Sequence, residues 1–238
     1  MKKLLAISLL TAFSFCNAQV LEKYPQGQTD YIGGNEQFYK DFNQVVKDKN
    51  LKPCENKNEV LDFKIVVYPD RSIKYVKPED PLAIENNKCA FDLTREVAKY
   101  LKGWNPATLN GEKIAAVTSF LIIPSELFDE LKPGYNPVSD MKPATYEGGI
   151  NNFRKKVVQN IDISRFKFNG DVKLQVTFII DAAGQITNLE LAESSGLKAF
   201  DEMIIKDIAT IKNKWTPANV HGIPISYAYR LPLKFSSR

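Results

Sequence analysis

Eight residues are written almost twice in this chain. WNPATLNG spans Trp104–Gly111, and WTPANVHG spans Trp215–Gly222. The repeat belongs to a longer self-similarity. Tyr31-Ile32-Gly33-Gly34 returns as Tyr146-Glu147-Gly148-Gly149, Ala90-Phe91-Asp92 as Ala199-Phe200-Asp201, and Trp104 as Trp215, at offsets of 115, 109 and 111. Ordered landmarks at nearly constant offset constrain the chain strongly. A period of this length is too long for a solenoid repeat and suits a small domain written twice. The boundaries read as repeat one at 31–128 and repeat two at 146–238. Gln19 to Asp30 forms a short polar lead-in. Asp129–Thr145, with three prolines and no hydrophobic period, reads as a semi-stiff extended linker.

Within repeat two, Phe153, Val157 and Ile161 recur at helical spacing. Val172, Leu174, Val176, Phe178 and Ile180 then alternate with polar residues, as a half-buried strand requires. Asp181-Ala182-Ala183-Gly184 turns the chain into a second strand over 185–192, an antiparallel hairpin. A helix follows with Phe200, Ile204, Ile208, Ile211 and Trp215 along one side. The last strand alternates Ile225, Tyr227, Tyr229, Leu231, Leu233 and Phe235. Repeat one gives the same order, with a helix through Phe38, Phe42 and Val45 and a strand through Leu61, Phe63, Ile65 and Val67. A short strand at Ile73 and Tyr75, a helix through Phe91, Val97 and Trp104, and a final strand near 113–123 complete it. The expected fold is α+β: two tandem α-β-β-α-β modules, each a three-stranded antiparallel sheet with two helices on one face.

Trp104 and Trp215 are expected to close the stripe of each second helix, with Pro106 and Pro217 as its stop. Asn110-Gly111 and His221-Gly222 then occupy equivalent turns before the last strands. Because asparagine replaces it in the first copy, the single histidine reads as a solvated turn residue.

The ends and composition bound the compartment. Lys2 and Lys3 precede an uncharged apolar run over 4–15, and Cys16-Asn17-Ala18 offers a small-residue cleavage site. Residues 1–18 therefore read as an export signal, too short for a span of about 20 apolar residues. Phe15 stands where acylation of Cys16 would want a small residue. Without this segment the net charge of +4 falls to +2, with no dense basic face for nucleic acid. The expected location is the periplasm, with no membrane-spanning segment in the exported chain.

Cys54 and Cys89 survive export, and in an oxidising compartment they read as a disulfide. The topology supports this, since Cys54 precedes the first strand and the second strand returns to that same end, where the helix near Cys89 begins. Catalytic signals are sparse. One histidine leaves little for a metal cage or a Ser-His pair, and the Gly-Gly pairs match no phosphate-binding loop. Asp92 and Asp201 suit the first turn of a helix. No enzyme activity, cofactor or metal is expected.

In repeat two, Tyr146-x-Gly148-Gly149, Gly170-x-Val172, Phe178-x-x-Asp181-x-x-Gly184, Ser194-Ser195-Gly196, Phe200-Asp201, Trp215-x-Pro217-Ala218, Gly222 and Leu231-Pro232-x-x-Phe235 follow in order. This repeat resembles the C-terminal domain of the energy transducer TonB; repeat one resembles it more loosely, with Ser72 in place of the hairpin glycine. TonB itself carries an uncleaved membrane helix and a long Pro-rich spacer, whereas this chain reads as a cleaved export signal and a short linker. The resemblance implies a module that grips a short segment of an outer-membrane transporter, or another envelope protein, along its last strand. An exposed edge accepts an extended peptide by strand addition, and Pro232 marks this strand as an edge. The candidate binding residues are Ser226, Tyr227, Ala228, Tyr229, Arg230 and Lys234, with Arg230 and Lys234 pointing away from the core. The alternative is a peptidoglycan or carbohydrate binder that stacks sugars on tyrosines.

Overall fold

In the computed structural model, residues 20–166, 170–212 and 214–236 are described; the expected export signal lies outside them. The elements run β1 (Val20–Leu21), α1 (Gly34–Asp48), β2 (Leu61–Val67), β3 (Ile73–Tyr75), α2 (Ala83–Asn86), α3 (Lys88–Ala98), β4 (Ala107–Leu109) and β5 (Glu112–Ile122). After the linker come β6 (Thr145–Tyr146), α4 (Ile150–Asn160), β7 (Asp171–Ile180), β8 (Ile186–Glu193) and α5 (Lys198–Ala209). The chain closes with β9 (Trp215–Thr216), β10 (Ala218–Val220), β11 (Ile223–Ile225) and β12 (Tyr227–Ser236).

The second sheet is three-stranded and antiparallel, in the order β12-β7-β8. The first sheet departs from the three-stranded expectation. Its order is β1-β5-β2-β3, with β4 also paired to β5 and β1 lying parallel to β5. The lead-in supplies that extra strand, because the outer edge of β5 has main-chain groups to satisfy and Val20–Leu21 lie close enough to do so.

Each sheet buries its alternating apolar set against its helices. Leu61, Phe63, Ile65 and Val67 of β2 and Phe120 and Ile122 of β5 meet Phe38 and Phe42 of α1 and Ala90 and Val97 of α3. Phe38 stacks on Phe120 with ring centres 3.8 Å apart. In the second core, Leu174, Val176, Phe178 and Ile180 meet Phe153, Val157, Phe200, Ile204 and Ile208. The Gly33-Gly34 and Gly148-Gly149 pairs all have positive φ, which lets the chain fold sharply into α1 and α4.

The tryptophans are not where the helical stripe put them. α3 ends at Ala98 and α5 at Ala209, and each tryptophan lies beyond its helix in a short extended piece. Trp104 bridges Tyr31, and Trp215 pairs with Tyr146 in a two-residue ladder. Trp215 O lies where a Cβ on Gly184 would come within 2.7 Å, so the hairpin glycine, at φ 77°, allows the β7–β8 turn to pack under the tryptophan.

The far face of β5 is not polar either. Leu121 and Ile123 point opposite to Phe120 and Ile122 and form a small buried cluster with Val60 and with Val220 of β10. The β10–β11 hairpin of the second half therefore covers part of the first sheet. The linker is docked rather than free: Tyr135 packs edge-on to Tyr39 at 5.0 Å, and Asn43 Nδ2 donates to the carbonyls of Leu127 and Asp129, each at 2.8 Å.

Cys54 and Cys89 form a disulfide with Cα atoms 5.8 Å apart. Beside it the buried Glu59 carboxylate accepts from Ala90 N at 2.7 Å and caps the start of α3. Both sulfurs and this carboxylate lie within 4.8 Å of one another, but the sulfurs are bonded to each other and are not thiolate ligands. Replacing both cysteines by serine releases a closure of 35 residues. Urea unfolding of the double variant is expected to show a loss of about 3–4 kcal/mol by chain entropy; an unchanged midpoint would contradict it. Gly184→Ala is expected to lower stability by at least about 1 kcal/mol in the same assay, through the left-handed φ and the contact with Trp215 O.

Candidate functional site

The alternation along the last strand sorts its residues onto two faces. Tyr227, Tyr229, Leu231, Leu233 and Phe235 face the helices, while Ala228, Arg230, Pro232, Lys234 and Ser236 are exposed. β12 pairs with β7 over ten positions, from Tyr227↔Ile180 to Ser236↔Asp171. Among the described residues no strand pairs with its other side. The six candidate residues thus share one strand but not one face. Ser226 sits between β11 and β12, and Tyr227 and Tyr229 lie half-buried on the core side.

The tyrosines are engaged there. Tyr229 stacks on Phe178 at 5.5 Å and lies 4.9 Å from Trp215, and its hydroxyl donates to Ala144 O. Burial, with Tyr227 adding to it, raises the Tyr229 pKa above the phenol value, so the hydroxyl stays a donor. On the outer face Lys234 Nζ reaches Asp171 Oδ2 at 2.7 Å and Ser236 Oγ donates to Asp171 Oδ1 at 2.7 Å. These contacts hold the Asp171 carboxyl below the usual carboxylate range. Arg230 Nη2 lies 3.5 Å from Glu79 Oε1, a residue of the first half, and Asn188 Nδ2 donates to Glu79 O at 3.4 Å.

Pro232 orients the free edge. Proline has no N–H, so its nitrogen is tolerated on the side that carries no ladder. Main-chain groups two residues apart point the same way, which gives Ala228, Arg230 and Lys234 outward N–H groups. What the edge offers is a row of main-chain donors and acceptors flanked by two cations, suited to strand addition.

Two other features of the second copy resolve as structure. Asp201 is 9% exposed and accepts from Ser194 Oγ at 2.6 Å and from Ser195 N at 3.0 Å, so it ties the Ser-Ser-Gly loop to α5. Burial opposes ionisation there, but these donors outweigh it and lower the pKa. His221 is the larger departure. It occupies the β10–β11 turn at φ 50°, but Nδ1 lies 2.7 Å from Glu126 Oε1 and Nε2 3.3 Å from Asp140 Oδ2. It is an exposed turn residue, as expected, but also a junction between the hairpin and the two carboxylates that precede and follow the linker's docked tyrosine. No local signal marks this, since its partners lie 95 and 81 residues away.

Residues 165–237 match the family model of the Gram-negative bacterial TonB protein C-terminal. The match begins after α4 and takes in β7, β8, α5 and the strands from β9 to β12, so it contains the free edge. No curated protein and no solved structure matches the chain. Among the described residues no helix is long and apolar enough to cross a membrane.

Partial burial alone would lower the His221 pKa, but the hydrogen bonds and charges of Glu126 and Asp140 outweigh it and raise the pKa above 6.5. A raised folded-state pKa stabilises fully below the unfolded value and stops doing so as pH rises through the folded value. His221→Asn keeps a residue that accepts positive φ. The variant is expected to melt below the parent near pH 5.5, with the gap closing as pH rises through the raised value. A pH-independent gap would contradict the ion-pair assignment.

Proposed function

We propose that this protein is an exported, non-enzymatic adaptor of the periplasm, whose TonB-like module at 146–238 binds an extended segment of an envelope protein or outer-membrane transporter along the outer edge of β12. On this reading residues 31–128 are a divergent copy of the same module, and the docked stretch over 129–145 joins them. One observation carries the proposal. β12 is a ten-residue strand that, among the described residues, is laddered on one side only, inside the segment that matches the TonB C-terminal family. The disulfide fits an oxidising compartment. The sugar-stacking alternative is less well supported, because Tyr227 and Tyr229 turn their rings to each other and to Phe178 and Trp215.

The test must block the edge without disturbing the core, and Tyr229 is too well packed for that. Ala228 is exposed and its N–H is assigned to the open side. Ala228→Pro removes one outward donor and places a ring in the path of an added strand. Cross-linking in native envelopes followed by mass spectrometry identifies the partner. The variant is then expected to bind that partner's segment at least about tenfold more weakly, at an unchanged melting temperature. Undiminished binding by Ala228→Pro would sink the edge reading, and recovery of wall fragments alone would favour the carbohydrate reading.

A further inference from the structure

The two sheets differ at one place that their repeat makes comparable. An offset of 111 carries Trp104 to Trp215, and it also carries Ala115–Ala116 of β5 to Ser226–Tyr227 at the start of β12. Beside Ala115 and Ala116 lies β1, with Val20 opposite Ala115 and Leu21 opposite Ala116, in parallel. Nothing among the described residues takes that place beside β12.

The reason is visible in the chain leading into each repeat. The lead-in and the linker run past the same strand of their respective halves. Gln28 uses its side-chain amide as a strand would, donating to Thr108 O and accepting from Thr108 N, both at 2.7 Å. In the second half Lys142 exchanges main-chain bonds with Asn219, the residue equivalent to Thr108, at 2.7 and 2.9 Å. Upstream the two routes part. The lead-in continues to β1 on the edge of β5. The linker instead bends through a short 3-10 turn at Pro137–Asp140 to Tyr135, whose hydroxyl donates to Glu126 at 2.7 Å against the first core. A segment that must return to the first half cannot also lie along β12.

The lead-in is held unevenly. Tyr24 donates to Asn105 O at 2.8 Å, Asn105 Nδ2 donates to Thr29 O at 2.7 Å, and Thr118 Oγ1 donates to Asp30. Among the described residues upstream of Tyr24, the strand pairing is Val20 with Ala115 and Leu21 with Ala116, and Val20 is 40% exposed. So short a ladder at the periphery opens far more easily than the core.

We propose that residues 20–23 are a displaceable latch: a parallel strand carried by the chain itself, which closes the outer edge of β5 to extended apolar segments while the matching edge of β12 stays open. This makes the first half a second strand-accepting site, self-occupied at rest. Its ligand class is an extended peptide with two consecutive apolar residues, of which Val20–Leu21 are the built-in example. The inference does not depend on β12 receiving a partner.

The probe is a synthetic peptide of residues 19–30 with a nitroxide spin label at its N-terminus. It is added to the chain beginning at Gln19 and to the same chain carrying Val20→Gly and Leu21→Gly. Backbone amide signals of residues 115–118 and 226–230 are followed by NMR. The latch predicts broadening over 115–118 at a peptide concentration at least about tenfold lower in the glycine variant than in the parent. It also predicts faster hydrogen exchange at those amides in the variant before peptide is added. A chain beginning at Lys23 carries the same readouts should the glycine pair disturb folding. Equal broadening over 115–118 in parent and variants, or none in the variants, would overturn the latch. Broadening confined to 226–230 in every chain would also overturn it, yet would support the open edge of β12.

Discussion

Two tryptophans hold this structure in register, each by fastening the stretch before its first helix to the stretch before its last strand. Trp104 lies 5.2 Å from Tyr31 and 5.9 Å from Phe38, and Trp215 lies 5.2 Å from Tyr146 and 5.1 Å from Phe153. Large rings supply most of the buried area available to so small a core, and their edge-to-face contacts fix orientation as well as proximity. The backbone pairings Tyr31–Trp104 and Tyr146–Trp215 add directional bonds to the same joints. Once these joints are set, the Asn110-Gly111 and His221-Gly222 turns launch the final strands in equivalent directions. The course of β5 and of β12, and hence which edge faces outward, depends on them.

The halves then diverge through what happens upstream of each joint. Before Tyr31 the lead-in, tied to Thr108 through Gln28, continues upstream to pair as β1 beside β5. Before Tyr146 it has to come from the first core, where Tyr135 and Asn43 hold it. The same local construction therefore gives one edge covered by β1 and one that, among the described residues, carries no added strand. The β10–β11 hairpin contributes to the asymmetry by burying Val220 against Leu121 and Ile123. One sheet becomes partly scaffold for the other, and a polar ring of His221, Glu126 and Asp140 closes the junction at its margin.

Much of this was legible in the residues. The period-two runs in β2, β7 and β12 and the helical spacing of Phe38 and Phe42 or Phe153 and Val157 name their elements, because burial on one face imposes those periods. The pairing of Cys54 with Cys89 followed from which ends of the strands must meet. The helical stripe failed at Trp104 and Trp215, since spacing alone cannot distinguish another helical turn from an extended residue that reaches back to the same core. The run Phe120-Leu121-Ile122-Ile123 breaks strict alternation, and that was the one local sign of a second covered face. Of the candidate binding residues, alternation correctly puts Arg230 and Lys234 outside, while Tyr227 and Tyr229 turn to the core side.

By itself the sequence determined the α+β class, the main helices and long strands and the disulfide, since each follows from local spacing or from covalent chemistry. Only the tertiary structure decided that β1 covers β5, that Glu79 approaches Arg230, that His221 reaches two distant carboxylates, and that no other described strand covers β12. Those outcomes turn on where remote stretches of chain must pass to connect the two cores. Such routing is set by packing across some eighty to one hundred and fifty residues, and it leaves no period or motif at the residues it brings together.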